Sequence, residues 1–191
     1  YGDHRDLHSF PTRRLPILAT LLTFTSAQAE SAHEHGVANL NIAISQNVLA
    51  IELDTPADNV LGFEHEPKNE KQAKQLENTI SLLKQATKLF NISDSANCKL
   101  TKVDIENPFA DHDEHEKHDD HDEHEGHEGH SDFEVQYRYT CENSNKLNSM
   151  DTAGLFNNFT NFTTLHVQWL NETKQSAKTL NKKDSQVNFD E

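Results

Sequence analysis

The run from Asp111 to Asp132 constrains the fold of this chain more than any other feature. In it His112, His115, His118, His121, His124, His127 and His130 recur at every third position, eleven carboxylates fill most of the gaps, and Lys117 is the only cation. So dense a block of like charge, with Gly126 and Gly129, opposes a stable helix, and disorder without metal is expected. The core is left to the residues on either side.

The run is a polydentate cation trap by composition. Neutral imidazole is a preferred ligand for zinc, copper and nickel, carboxylates complete the shell, and the negative field concentrates divalent cations. In an extended chain the period places successive imidazoles roughly 9 Å apart. The chain must then fold back to give one ion three or four ligands, which favours capacity over a single well-formed site. A zincin needs two histidines four apart around a glutamate, and this period never supplies that pair. The plainer alternative is a solvated acidic linker, against which the unbroken period stands.

Net charge is −15 for the whole chain, which argues against nucleic acid or an anionic membrane as partner. Near the N-terminus Arg13 and Arg14 precede an apolar segment from Leu15 to Phe24, and Ala27-Gln28-Ala29 has the small-x-small form of a signal-peptidase site. Residues 1–29 are therefore expected to be a signal peptide with upstream residues, followed by a single exported, periplasmic domain over 30–191. The segment is too short for a membrane span. Export makes the two cysteines, Cys98 and Cys141, legible as a disulfide bracketing the run. One methionine and a paired cysteine set argue against copper(I) handling.

The flanking residues predict an α+β fold, an antiparallel sheet of about six strands packed on one long helix, with residues 107–132 as a disordered His/Asp/Glu-rich hairpin loop. Val37 to Ser45 and Val48 to Asp54 alternate as a hairpin about Gln46-Asn47. Thr55 is expected to cap a short helix begun by Pro56. Lys68 to Phe90 carries a broad apolar stripe and reads as the long helix. Asn97 to Glu106 and Phe133 to Glu142 read as an antiparallel pair, and aligning Cys98 with Cys141 sets Ile105 opposite Glu134. Thr152 to Phe159 predicts a short helix, and Thr163 to Asn171, Thr173 to Leu180 and Gln186 to Phe189 predict strands that complete the sheet.

Outside the run, His33 and His35 point the same way if their segment is extended, and His65 lies between Glu64 and Glu66 beside Phe63. Each is a candidate ligand, against the alternative of an idle surface histidine. No Ser/His/Asp constellation or open metal site suggests an enzyme.

Four stretches together resemble the ZrgA family of zinc-regulated periplasmic zinc-binding proteins: His33-Glu34-His35-Gly36, Thr55 through His65, Phe133 through Cys141, and Leu165-His166-Val167-Gln168-Trp169. The resemblance implies a periplasmic zinc binder that supports zinc uptake, with zinc ions as cargo and a zinc ABC transporter or its receptor as partner. It also implies that His33, His35 and His65 contribute to an ordered site. The alternatives are the solute receptor, or a nickel-binding chaperone (Ni2+ in place of Zn2+), of a metal transport system.

Overall fold

The computed structural model describes residues 34–110 and 131–190. All of them belong to one compact unit, Ala32–Glu191. The expected signal segment, His33 and the seven histidines from His112 to His130 lie outside the described residues.

Nine strands and three short α-helices make up the described fold. The strands are β1 (Val37–Ser45), β2 (Val48–Pro56), β3 (Asn91–Ile92), β4 (Cys98–Glu106), β5 (Asp132–Cys141), β6 (Ser149–Asp151), β7 (Thr164–Leu170), β8 (Gln175–Asn181) and β9 (Gln186–Asn188). The helices are α1 (Ala57–Leu61), α2 (Glu70–Leu83) and α3 (Ala153–Asn158). Six strands form one sheet in the order β4-β5-β2-β1-β7-β8, and β3-β6-β9 form a second. Among the described residues no helix is long and apolar enough to cross a membrane.

This corrects the expected fold class in three respects. The protein is mainly β, with two sheets in place of one sheet on one long helix. The expected helix over Lys68 to Phe90 begins only after Asn69, whose side chain accepts from the Gln72 N–H, and it stops at Leu83. Gln85 then takes a non-helical ψ of 63°, and a single 3-10 turn over Ala86–Lys88 follows. That break turns Leu83, Ala86, Leu89 and Phe90 into the core together, whereas in α2 only Thr79 and Leu83 are buried. The helix is thus a rim element, and the second sheet, α3 and the irregular segments help to cover the large sheet.

The large sheet is also not purely antiparallel, because β1 and β7 pair in parallel from Val37↔Thr164 to Ala43↔Leu170. Gly36 makes that junction possible. Its carbonyl accepts from the N–H groups of Thr163 and Thr164 and from the Thr163 hydroxyl. Its φ is +86°, and a Cβ there would lie 2.6 Å from Thr163 Oγ1. β9, expected in the main sheet, pairs with β6 in the second.

Alternation places the core as anticipated. Leu40 and Ile42 of β1, Leu49, Ile51 and Leu53 of β2, Phe133, Val135, Tyr137 and Tyr139 of β5, and Leu165, Val167 and Trp169 of β7 are all buried. Edge-to-face rings join the layers: Phe90 on Tyr137 at 5.2 Å and Trp169 on Phe189 at 5.6 Å between centroids. The Tyr137 hydroxyl donates to the Leu83 carbonyl at 2.8 Å, fixing the end of α2 to the sheet.

Cys98 and Cys141 face each other across β4 and β5 and form the disulfide. Ile105, however, pairs with Val135, and it is Glu106 that pairs with Glu134. A bulge between Leu100 and Lys102 takes up one residue, and the extra Thr101 bonds its hydroxyl to the Arg138 carbonyl. The bulge changes which parity faces inward, so Cys98, Val103 and Ile105 all turn to the core side.

Candidate metal centre

The residues from Thr55 to His65 build one rim of the molecule by local rules. Pro56 ends β2 and flanks α1, but no side chain caps that helix. Thr55 instead accepts from Asn59 Nδ2 at 3.1 Å, and so does not act as the expected cap. The buried Asn59 is the organiser here. Its Oδ1 accepts from the Gly36 N–H at 2.6 Å and its Nδ2 donates to the Val37 carbonyl at 2.8 Å, which ties the N-terminal segment to α1. Gly62 closes the helix at φ +78°, the left-handed conformation that favours glycine at this position, and its N–H donates to the Asp58 carbonyl.

This framework brings His35 against two carboxylates. Its Nδ1 lies 3.5 Å from Asp58 Oδ2 and its Nε2 lies 3.3 Å from Glu64 Oε1. The Asp58 side chain is the more enclosed of the two, 21% exposed against 38% for Glu64, and its Oδ2 also accepts from Asn161 Nδ2 at 3.3 Å. Asp58 is therefore the fixed acid and Glu64 the adaptable one. A zinc-ligating imidazole binds the ion through one nitrogen and gives the other N–H to a carboxylate or carbonyl. Here Asp58 is placed to orient the ring, leaving Nε2 and the Glu64 carboxylate on the more exposed side.

His65 is arranged differently. Its ring stacks on Phe63 at 5.2 Å between centroids, and Nδ1 lies 2.8 Å from the Glu66 carbonyl. Phe63 stacks in turn on Phe109 at 6.5 Å. On the other side of the run the Ser131 carbonyl accepts from the Ala57 N–H at 2.7 Å, and its hydroxyl donates to the Glu64 carbonyl at 2.8 Å. Both ends of the histidine run are thus fastened to the segment that carries Asp58, Glu64 and His65.

Among the described residues no three of His, Cys, Asp and Glu stand ready to hold an ion. Of the expected ordered ligands, His35 has two acidic neighbours, His65 is turned onto an aromatic ring close by, and His33 lies outside the described residues, as do the loop histidines. Nothing in the sequence by itself assigns Asp58 or Glu64 a role. The signal for Asp58 was its first-turn position in a helix packed beside the N-terminal segment, which becomes visible only once Asn59 joins the two. His166, the remaining described histidine, sits on the far face of the sheet with Nδ1 3.1 Å from the Thr179 hydroxyl.

No curated protein matches the chain. The family model described as ZrgA family zinc uptake protein matches residues 32–189, a span that takes in the rim, both sheets and the histidine run. The chain belongs to the ZrgA family of zinc uptake proteins.

Proposed function

We propose that the protein is a non-enzymatic periplasmic zinc carrier, in which the histidine run gathers the ion and the rim around His35 receives it for delivery to an uptake system. The observation that carries this reading is the convergence at one rim of His35, Asp58 and Glu64 with both anchors of the run, Phe109 and Ser131. An ion leaving either end of the run meets a carboxylate–imidazole pair within the same small region. Zinc is favoured over nickel by the family match. Seven imidazoles at two to four per ion would serve roughly two or three zinc ions, with carboxylates completing the shells.

Calorimetric titration of zinc tests both parts. A variant lacking residues 111–130, which keeps Ser131 and Asp132 in place, should lose most of the bound zinc and retain one binding event. His35→Ala in that background should remove this remaining event, and Asp58→Asn should weaken it by about ten- to a hundredfold, the usual cost of losing an orienting partner. Unchanged stoichiometry in the deletion variant would refute the run as the store. A remaining event indifferent to His35→Ala would refute the rim as receiver.

A further inference from the structure

Among the described residues nothing covers the face of the large sheet turned away from the core, and the strand register sorts its side chains into rows. In one row Arg138, Ala50, Ala43 and Leu170 lie side by side across β5, β2, β1 and β7. Two residues along the strands, Gln136, Glu52, Asn41 and Gln168 form the next. Two alanines between longer side chains leave a hollow, and a cavity of about 650 Å³ lies there, within the range of small-ligand sites.

The groups around the hollow differ sharply in character. Lys102 is engaged by Asp104 at 2.6 Å, whereas Arg138 and Glu52 have no ion pair among the described residues. Leu170 is 53% exposed, an unusual position for a large aliphatic side chain. Asn41, Gln136 and Gln168 each offer an amide donor and an amide acceptor. Tyr137 and Trp169 turn their rings to the core, so the hollow has no aromatic platform of the kind that stacks on sugars or bases.

We propose that this hollow binds a short peptide with free termini and an apolar C-terminal side chain. The terminal carboxylate pairs with Arg138, the amino group with Glu52, the apolar side chain lies over Ala43 towards Leu170, and the three amides serve the peptide bonds. Arg138 and Glu52 are diagonal neighbours on adjacent strands, with Cα atoms roughly 7–8 Å apart. Two extended residues span about 7 Å and three about 10 Å, and both charged side chains reach beyond their Cα atoms, so a di- or tripeptide can bridge the two charges. The site is independent of the zinc-binding rim.

The test titrates alanyl-alanyl-leucine into the full protein and follows the backbone and side-chain amide NMR signals of the outer face. Saturable binding is expected, with shifts centred on Asn41, Gln136 and Gln168. Amidating the C-terminus, acetylating the N-terminus, or replacing Arg138 (Arg138→Ala) should each weaken it by about tenfold or more, since each removes a charge-assisted hydrogen bond. Ala50→Trp should abolish binding by filling the hollow, and melting temperature and zinc stoichiometry show whether each variant is folded. The proposal is overturned if no saturable binding occurs, or if binding ignores C-terminal amidation and Arg138→Ala. It is equally overturned if sedimentation shows a dimer that Ala50→Trp dissociates, which would make a second copy the occupant.

Discussion

Glu134 shows how a single side chain registers the acidity of its sheet. Desolvation, followed by the carboxylates of Glu106, Asp54, Glu52 and Asp132, pushes its carboxyl above the ordinary glutamate range. Glu106 and Asp54 are its direct cross-strand partners. A carboxyl whose pKa is higher folded than unfolded takes up protons on folding, so its charge opposes the fold, and stability is lost as pH rises from the unfolded value through the folded one. Glu134→Gln should therefore raise the melting temperature at pH 7, by about 1–2 °C because the group is exposed and screened. The gain should vanish at about pH 3, where the carboxyl is protonated in both states; an equal gain at both values would contradict the assignment. Gly36 marks the opposite case, a site where only the missing side chain is tolerated. Gly36→Ala should cost about 1–3 kcal/mol in urea unfolding, because φ is positive and the added methyl meets Thr163.

The alternating strands β1, β2, β5 and β7 were legible in the sequence because each has one buried face, and the period of two follows directly from that burial. The elements that escaped had no period to show. β3 and β6 are two and three residues long and owe their existence to neighbours distant in the chain. The helix over Glu70–Leu83 is shorter than its apolar stripe, since Ala86, Leu89 and Phe90 continue the stripe while the backbone leaves the helix at Gln85. The bulge in β4 had a readable sign: Cys98 and Ile105 differ in parity, so an unbroken strand could not turn both inward. Deleting Thr101 should accordingly leave a regular strand in which Cys98, Val103 and Ile105 share one parity. Thermal unfolding should change little and mass spectrometry should show the disulfide still complete, whereas free thiols in this variant would contradict the assignment of Thr101 as the extra residue. At the end of α2, Tyr137→Phe should cost about 1–3 kcal/mol by leaving the buried Leu83 carbonyl without its donor. The rim was half legible: His35 and His65 carry their own chemistry, but the two carboxylates beside His35 are ordinary acids until Asn59 stitches α1 to the N-terminal segment.

For the molecule as a whole, the parallel pairing of β1 with β7 has a kinetic consequence. Gly36 and Thr163 are 127 residues apart, yet their contact seals one side of a central strand. β1 can zip to β2 through a two-residue turn almost at once, but its other edge has no partner until most of the chain is available. Contacts of such high sequence separation slow folding, because loop-closure entropy is lost before any long-range contact compensates for it. During that interval Leu40, Ile42 and Ile44 form an apolar strand with a bare edge, a template for pairing with other chains. Refolding yield should therefore fall steeply with protein concentration, and a chain ending before Thr164 should aggregate rather than persist as a partly folded monomer.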